Sequence, residues 1–443
     1  MAERETTPVA APRSGRQRAA IHTLGCRLNQ SESGILADLL RREGYELVPF
    51  GEPAELGVVH TCTVTREADA KSRQLIRAFI RTNPHAYVAV LGCYAQTGYQ
   101  ALAAIDGIDL ICGNQEKMNL LEFVRQGKNK VPLVVRDRIQ RDDFTIEFAG
   151  DEPTERRANL KIQDGCNFLC SYCVIPFARG RSRSREMDNL LDEARALIAR
   201  GAKELVLTGV NLGCYTWEGL TIVDVADRLN ELPGLARIRI SSIEPTTVPE
   251  ELLERMADPA HALTPYLHLP LQSGSDTVLR RMKRRYTIRE YVEFVEAACS
   301  CVPDLCVGTD ILVGMPGESD AEFEETCAVL RDAPIAYAHV FKYSERDGTA
   351  SQRMPDKVEP RVANRRSARI RRISAAKRHA FYERSLGMSV EVLFEQQQDG
   401  WWEGYTGNYV RVAARSSQRL RNEFGRVRVD SIRGDMAIGV FND

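Results

Sequence analysis

The sequence predicts an α/β protein built from three successive parts. Two long segments alternate short apolar runs with helical stretches, which is typical of parallel strands covered by helices. A third, C-terminal segment has short β-rich runs broken by Gly, Asp and Asn, which is typical of a small antiparallel β-barrel. A chain of 443 residues exceeds what one hydrophobic core usually holds, so the division also fits the length.

The first part, residues 18–130, predicts a doubly wound parallel sheet. Its candidate strands are 21–24, 45–49, 58–60, 87–91 and 108–111, with helices at 30–42, 66–81 and 96–104. A polar and charged stretch, 135–157, then interrupts the alternation and is interpreted as a linker.

The second part, residues 152–380, carries six further strand–helix units. Its candidate strands are 160–163, 204–208, 237–241, 266–271, 306–313 and 339–343. Six units are fewer than the eight of a closed barrel, so an open, partial (β/α)6 barrel is expected. The third part, residues 381–443, contains the β-rich runs 389–395, 405–413 and 425–431 and is the predicted antiparallel barrel.

Composition narrows the class of protein. The sequence has no run of about 18 apolar residues, so a membrane span is not expected. The first twenty residues lack the apolar centre of a secretory signal and are interpreted as a disordered lead-in, which favours the cytoplasm. In that reducing compartment, the twelve cysteines favour metal ligands or catalytic groups over disulfides.

Three cysteines, Cys166, Cys170 and Cys173, form a C-x3-C-x2-C motif directly after a predicted strand. Three thiolates on one loop suit three irons of a cubane cluster and leave the fourth iron open to a cofactor or substrate. Zinc is the competing metal, but a structural zinc site needs four closed ligands, and no fourth Cys or His neighbours this loop.

This spacing, with the aromatic Tyr172 before the last cysteine, resembles the radical S-adenosylmethionine (SAM) superfamily. The resemblance implies a 4Fe-4S cluster on these cysteines, with SAM bound to its open iron and cleaved to a 5′-deoxyadenosyl radical. The position of the motif after the first barrel strand agrees, because active-site loops lie at that end of such barrels.

A second set, Cys26, Cys62 and Cys93, is dispersed along the chain, but each follows a candidate strand of the first part by one or two residues. Ligands of open parallel sheets collect at the carboxyl ends of the strands, so three thiols delivered there could meet on a second cluster. Gly25 and Gly92 would allow close approach of the backbone. The alternative is three buried structural cysteines.

The segments HTLGCRLNQSES, HTCTVTREADAKSRQLIR and VLGCYAQ resemble the three cysteine boxes of the methylthiotransferases. This resemblance covers nearly the whole chain and implies an N-terminal methylthiotransferase domain, a central radical SAM domain and a C-terminal TRAM domain. It also implies a second 4Fe-4S cluster on Cys26, Cys62 and Cys93. The first two boxes resemble the branch that modifies N6-threonylcarbamoyladenosine at position 37 of tRNA.

The cofactor and RNA contacts are predicted from turns and charge. Glu244, Gln272 and Gly314 follow barrel strands and are candidate SAM contacts, although such positions can be simple turns. Every second residue from 179 to 185 is arginine, and an extended backbone would project these side chains as one row along a phosphate path. The members predicted to bind RNA are Arg179, Arg181 and Arg183. A solvated charge run is the alternative.

A second basic surface is expected from residues 357–384, which hold ten Lys/Arg against two Glu. Trp401, Trp402, Tyr405 and Tyr409 of the C-terminal part could stack on bases, with some of them in the barrel core. Together these features predict tRNA as a partner, in line with the role of TRAM-like domains in the family.

The resulting hypothesis is radical methylthiolation of carbon 2 of N6-threonylcarbamoyladenosine, with SAM, two clusters, a sulfur source and an electron donor such as flavodoxin or ferredoxin. The radical is needed because ordinary acid–base chemistry does not functionalise that carbon. The alternatives are a methylthiotransferase acting on isopentenyladenosine in tRNA or on a ribosomal-protein aspartate, and a non-enzymatic tRNA-binding or zinc-scaffold protein.

Overall fold

The computed structural model describes residues 16–128, 130–147 and 157–442. Residues 1–15 of the expected lead-in and 148–156 of the expected linker therefore lie outside the described residues. Within the described ranges, no helix is long and apolar enough to cross a membrane.

The N-terminal part is a parallel sheet with strand order β2-β1-β3-β4-β5-β6. Its elements are β1 (Arg18–Thr23), α1 (Arg27–Arg42), β2 (Glu46–Leu47), β3 (Leu56–Thr61), α2 (Arg66–Thr82), β4 (Tyr87–Gly92), α3 (Cys93–Thr97), α4 (Tyr99–Ala103), β5 (Leu110–Cys112), α5 (Leu120–Arg125) and β6 (Leu133–Val135). Every residue of β3 and β4 is buried, as expected for central strands covered on both faces. The five expected strands are present, and β6 is an additional edge strand just before the polar stretch.

The central part is an open barrel made from two three-stranded parallel sheets, β7-β10-β11 and β12-β13-β14. Its elements are β7 (Ala158–Lys161), β8 (Gln163–Asp164), α6 (Ile175–Arg179), β9 (Arg183–Ser184), α7 (Met187–Ala199), β10 (Glu204–Thr208), α8 (Ile222–Asn230), β11 (Arg237–Ile240), α9 (Glu250–Ala257), β12 (Tyr266–His268), α10 (Asp276–Met282), α11 (Ile288–Cys301), β13 (Cys306–Val313), α12 (Asp320–Asp332), β14 (Tyr337–Lys342) and α13 (Pro360–Glu383). The Ile243 amide donates to the His268 carbonyl (3.2 Å) and joins the two sheets.

One large apolar core lies between the barrel strands and their helices. Three helices, α8, α11 and α12, begin with a complete capping box, in which an N-cap Thr or Ser and an acidic residue three positions later satisfy each other's backbone amides. Helix α13 packs on the edge strand β14, where Ser374 Oγ accepts a hydrogen bond from the Ala338 amide (2.8 Å). The barrel is thus covered on its β14 side by the basic helix.

The C-terminal part is a closed five-stranded barrel with strand order β15-β16-β17-β19-β18. Its strands are β15 (Ser389–Gln398), β16 (Trp401–Thr406), β17 (Arg411–Arg415), β18 (Phe424–Arg433) and β19 (Met436–Phe441). The expected β-rich run 405–413 belongs to two strands. The chain turns after Thr406, with Tyr409 at φ +67°, and the run is divided between β16 and β17.

Buried arginines of β11 hold this barrel against the central part. Arg239 pairs with Glu204 (Nε to Oε1, 2.6 Å) and donates to the Gly407 carbonyl (2.9 Å) in the turn after β16. Because both partners of the pair are fully buried, loss of either would leave an uncompensated charge.

Candidate active site

The first cysteine set, Cys166, Cys170 and Cys173, lies on the loop between β8 and α6. The loop is held internally and by the barrel: the Phe168 amide donates to Cys166 Sγ (3.3 Å), and the Ser171 amide donates to the Met282 carbonyl (2.9 Å). Burial, together with the neighbouring Cys170, raises the pKa of Cys166 to about 11 and that of Cys173 to about 12. A bound cation would favour their thiolate forms.

Arg284 connects this loop to a carboxylate. Its guanidinium donates to Cys170 Sγ (3.5 Å) and forms an ion pair with Glu244. Glu244, a predicted SAM contact, is therefore brought to the cysteine loop through Arg284. Arg284 could not be predicted from the sequence, because it lies in the basic run 280–285, where only the tertiary contacts distinguish one arginine from another.

The other two predicted SAM contacts are fixed by the strands and helices around them. The backbone of Gln272, at φ +68°, is held by the Asp310 carbonyl (2.7 Å) and the Leu312 amide (2.8 Å) of β13. The Gly314 amide donates to Glu318 Oε2 (2.7 Å), and a side chain at Gly314 would meet Ala363 of α13 at 3.0 Å. Their role as SAM contacts stays a prediction.

The second cysteine set lies at one edge of the N-terminal sheet. Cys26 caps α1 after β1, Cys62 follows β3, and Cys93 begins α3 directly after β4. Because β1, β3 and β4 are adjacent in the sheet, the three thiols are delivered to the same edge. Cys62 and Cys93 are buried, whereas Cys26 is exposed.

Two glycines make this approach possible. A Cβ atom at Gly25 (φ +103°) would lie 2.7 Å from Cys62 Cβ, and one at Gly92 (φ +97°) would lie 2.8 Å from the Thr61 carbonyl oxygen. Both distances are too short for any side chain, and both φ values favour glycine. The chain therefore requires glycine where the strand ends meet.

Each cysteine set offers three thiols, the donor type that holds iron–sulfur clusters, and a cluster on the second set stays a prediction. In the described parts of the chain, no three Cys, His, Asp or Glu side chains converge closely enough to bind one metal ion. A closed zinc site would require such convergence and a fourth ligand. Three thiols on neighbouring segments, without a fourth ligand, fit an iron–sulfur cluster with one open iron.

A short helix joins the two cysteine sets. Helix α6 begins two residues after Cys173 and packs on α3, which begins at Cys93. Asn114 spans the contact, because its Nδ2 donates both to the Ala178 carbonyl of α6 (2.7 Å) and to Cys93 Sγ (3.5 Å). At the end of α6, Arg179 donates to Asn29 Oδ1 (2.6 Å), and Asn29 lies beside Cys26.

Arg179 belongs to a buried ionic network centred on Glu32. This carboxylate contacts Arg179 (3.0 Å), Lys117 (2.5 Å) and Lys161 (2.7 Å), and Asp164 accepts from Arg179 (3.0 Å). Burial alone would raise the pKa of Glu32, but the Arg179 guanidinium and the two ammonium groups hold it well below its usual range. The network ties the N-terminal sheet to the barrel through paired charges.

The predicted row of exposed arginines is not formed. Arg179 is buried in the network, Arg183 is buried beside Asp164 (3.6 Å), and Arg185 is buried in an ion pair with Glu193. The backbone is not extended across the tract, because α6 ends at Arg179 and Gly180 turns with φ +77°. Arg181 alone keeps an exposed position, and its RNA contact stays a prediction.

A cavity of about 620 Å³ lies beside Cys26. Its wall includes the first N-terminal loop, the inner faces of β12, β13 and β14, helix α13 and the turn after β16. This volume is in the range of sites for small organic ligands. The cavity is thus formed by all three parts of the chain.

Comparison with known proteins identifies the family. Residues 160–330 match the Radical SAM superfamily, and residues 18–113 match an uncharacterised protein family, UPF0004. The chain is 37% identical to the threonylcarbamoyladenosine tRNA methylthiotransferase MtaB of Bacillus subtilis strain 168, with 93% of each protein covered. The chain belongs to the methylthiotransferase family of radical SAM enzymes. Two further MtaB proteins are similar to the chain. That of Aquifex aeolicus is 36% identical over 88% of this chain and 95% of the relative, and that of Thermotoga maritima is 32% identical over 93% of this chain and 94% of the relative.

Solved structures share the fold of this methylthiotransferase. The radical SAM methyltransferase TsrM from Kitasatospora setae matches with a TM-score of 0.54 and 16% identity over 74% of this chain and 75% of TsrM. The cobalamin-dependent radical enzyme OxsB matches with a TM-score of 0.52 and 12% identity over 76% of this chain and 54% of OxsB. The predicted α/β fold, family and enzyme class are confirmed, and the family implies SAM and a 4Fe-4S cluster.

Proposed function

We propose that this enzyme adds a methylthio group to carbon 2 of N6-threonylcarbamoyladenosine at position 37 of tRNA, using SAM and two 4Fe-4S clusters. Cys166, Cys170 and Cys173 hold the cluster that works with SAM. Cys26, Cys62 and Cys93 hold the second cluster, on the side from which sulfur is supplied. The substrate follows the names of the MtaB relatives, which cover nearly the whole chain.

The observation that carries this proposal is the contact between α6 and α3. Helix α6, which follows the loop of Cys166, Cys170 and Cys173, packs on α3, which begins at Cys93, and Asn114 bonds to both sides. A reaction that needs a radical and a sulfur donor at one carbon atom requires two cofactor sites that face a common space. The cavity beside Cys26 offers such a space on the side of the second set, and none of Cys166, Cys170 and Cys173 is among its lining residues.

When bound, the first cluster and SAM supply the radical that activates the carbon–hydrogen bond. The chain's own residues position these groups. Arg284 sits between Cys170 and Glu244, so it fixes the loop and keeps a carboxylate beside it. Cys62, Cys93 and the Glu32 network are buried at the edge of the N-terminal sheet, whereas Cys26 is exposed there.

The RNA would approach from the side of α13 and the C-terminal barrel. Arg361, Arg365, Arg371 and Arg372 are exposed on α13, where phosphate contacts are favourable. Tyr405 and Tyr409 stack on each other with ring centroids 4.9 Å apart, and Tyr409 lines the cavity. The target base must leave its anticodon loop to enter, as single-stranded RNA recognition normally requires. An electron donor of the flavodoxin or ferredoxin class and a sulfur source complete the reaction.

Nucleoside mass spectrometry tests the substrate. Anaerobically reconstituted enzyme, given SAM, a reductant and a sulfur source, should convert threonylcarbamoyladenosine in tRNA to its 2-methylthio form. The same preparation should leave isopentenyladenosine tRNA and the ribosomal-protein aspartate unmodified. Product on either alternative substrate, with none on threonylcarbamoyladenosine, would replace the proposed function.

A further inference from the structure

The cavity beside Cys26 carries an unequal set of charges. Three guanidinium groups and two carboxylates line it: Arg27, Arg378, Arg411, Asp310 and Asp435. Both carboxylates already have partners, because Asp310 Oδ1 lies 3.0 Å from His268 Nε2 and Asp435 Oδ2 lies 3.7 Å from Arg411 Nη1. Arg411 is further paired with Glu403 (2.7 Å).

The remaining two arginines have neutral aromatic partners. Arg27 Nη2 donates to the Tyr409 hydroxyl (2.6 Å), and the Arg378 guanidinium stands over the Tyr337 ring (4.9 Å from Cζ to the centroid). Among the described residues, no carboxylate oxygen lies within 4.0 Å of either guanidinium. Two guanidinium groups that line a cavity between domains and have no carboxylate partner of their own favour an anionic ligand.

Both guanidinium groups line this cavity, Arg27 from the N-terminal loop and Arg378 from α13. His339 of β14 lines it as well. Burial lowers the pKa of His339, and His268, Arg378 and Arg27 lower it further, whereas Asp310 raises it.

The turn that presents Tyr409 lies among guanidinium groups, of which Arg157 and Arg239 are paired with carboxylates. Burial would raise the pKa of Tyr409, but Arg27, Arg157 and Arg239 together lower it below its usual value. Tyr409 is held in the left-handed region (φ +67°), which is uncommon for a residue other than glycine. The Tyr409 phenol and the guanidinium of Arg27, the residue after Cys26, therefore meet in the wall of the cavity.

We propose that Arg27 and Arg378 bind the carboxylate of the threonylcarbamoyl group of the substrate adenosine and thereby select it over adenosines with neutral N6 substituents. The inference rests on the proposed function and adds the residues that set its specificity. Arg27 follows Cys26 directly, so an arginine that holds the carboxylate keeps the same nucleoside next to the second cysteine set.

Discrimination follows from desolvation. A carboxylate restores to both guanidinium groups the charge-assisted hydrogen bonds that they lose when water leaves the cavity. An apolar isopentenyl group offers no acceptor, so its binding would leave two desolvated cations without a partner. Selection here is therefore largely the rejection of neutral substituents.

Equilibrium binding without turnover tests this inference. Three anticodon stem-loop RNAs would differ only at position 37, with threonylcarbamoyladenosine, its methyl ester or unmodified adenosine. Wild-type enzyme should bind the acid more tightly than the ester. In Arg27→Gln and Arg378→Gln the preference for the acid should fall about 10- to 100-fold, with affinity for the unmodified RNA within about twofold of wild type.

A matched control is Arg372→Gln, which removes an exposed guanidinium from the same helix as Arg378. This change should weaken the binding of all three RNAs equally and leave the ratio of the affinities for acid and ester unchanged. Retained binding of unmodified RNA by Arg27→Gln and Arg378→Gln shows that these variants are folded.

Three results would overturn the inference. If the variants lost affinity equally for all three RNAs, the arginines would bind phosphates. If they lost affinity for SAM and kept the preference for the acid, the arginines would bind the cofactor. Wild-type enzyme that binds acid and ester equally would show that the carboxylate is not recognised. The proposed function fails separately, if wild-type enzyme forms no methylthio product on threonylcarbamoyl RNA.

Discussion

Cys166, Cys170 and Cys173 lie within one loop, whereas Cys26, Cys62 and Cys93 come from three strands and meet only when the sheet forms. The first set keeps its spacing through local contacts such as the Phe168 amide on Cys166 Sγ. The second depends on strand register, on two glycines and on a buried ionic network. A ligand set on one loop can tolerate changes elsewhere in the fold, while a set assembled from distant strands is coupled to the packing between domains.

The largest expected effect separates the chemistry of the two sets. Cys170→Ala should abolish both SAM cleavage and methylthiolation, because it removes a ligand of the radical-generating cluster. Cys62→Ala should abolish methylthiolation only, with 5′-deoxyadenosine still formed. Chromatography of both products checks this, and loss of cleavage in Cys62→Ala would show that the N-terminal set is structural.

The ionic network should be the next most sensitive feature. Arg179→Met leaves Glu32 and Asp164 buried with fewer cations, and breaking a buried pair in this way costs about 3–5 kcal/mol. The matched control Arg181→Met removes an exposed arginine of the same tract and should change stability by no more than about 0.5 kcal/mol. Urea unfolding measures the stability of the two variants. Equal midpoints of unfolding for the two would contradict the buried position of Arg179.

Asn114→Ala tests the two cysteine sets separately. Asn114 donates to Cys93 and to α6, and it has no hydrogen bond to Cys166, Cys170 or Cys173. Loss of such an outer partner typically lowers metal affinity about 10- to 100-fold. The variant should lose iron from the N-terminal set in a chelator titration and retain SAM cleavage. Asn119→Ala, an exposed change five residues along the chain, is the control and should behave as wild type.

A pair of glycine variants isolates steric approach from backbone strain. Gly25 and Gly44 both have positive φ, but a side chain would meet Cys62 at Gly25 and open space at Gly44. Each change to Ala should cost about 1–2 kcal/mol in backbone strain. Only Gly25→Ala should also reduce iron binding by the second set. Equal iron contents in the two variants would contradict the close approach of Gly25 to Cys62.

The sequence predicted the local motif and the strand ends that bring Cys26, Cys62 and Cys93 to one edge, but it missed the side-chain pairs between distant segments. The C-x3-C-x2-C loop and the strand–helix alternation can be predicted from the sequence, because each depends on residues that are close together in the chain. Arg179 could not be placed, because its partner Glu32 lies 147 positions away, and alternate spacing suggested a solvent-facing row. The division of 405–413 into two strands and the position of Arg284 likewise depend on tertiary contacts.

The iron content after anaerobic reconstitution tests the central claim most directly. Wild-type enzyme should bind about eight irons per chain, as expected for two four-iron clusters. A variant with Cys26, Cys62 and Cys93 all changed to Ala should bind about four and still cleave SAM. About four irons in both proteins would contradict a second cluster on the N-terminal set.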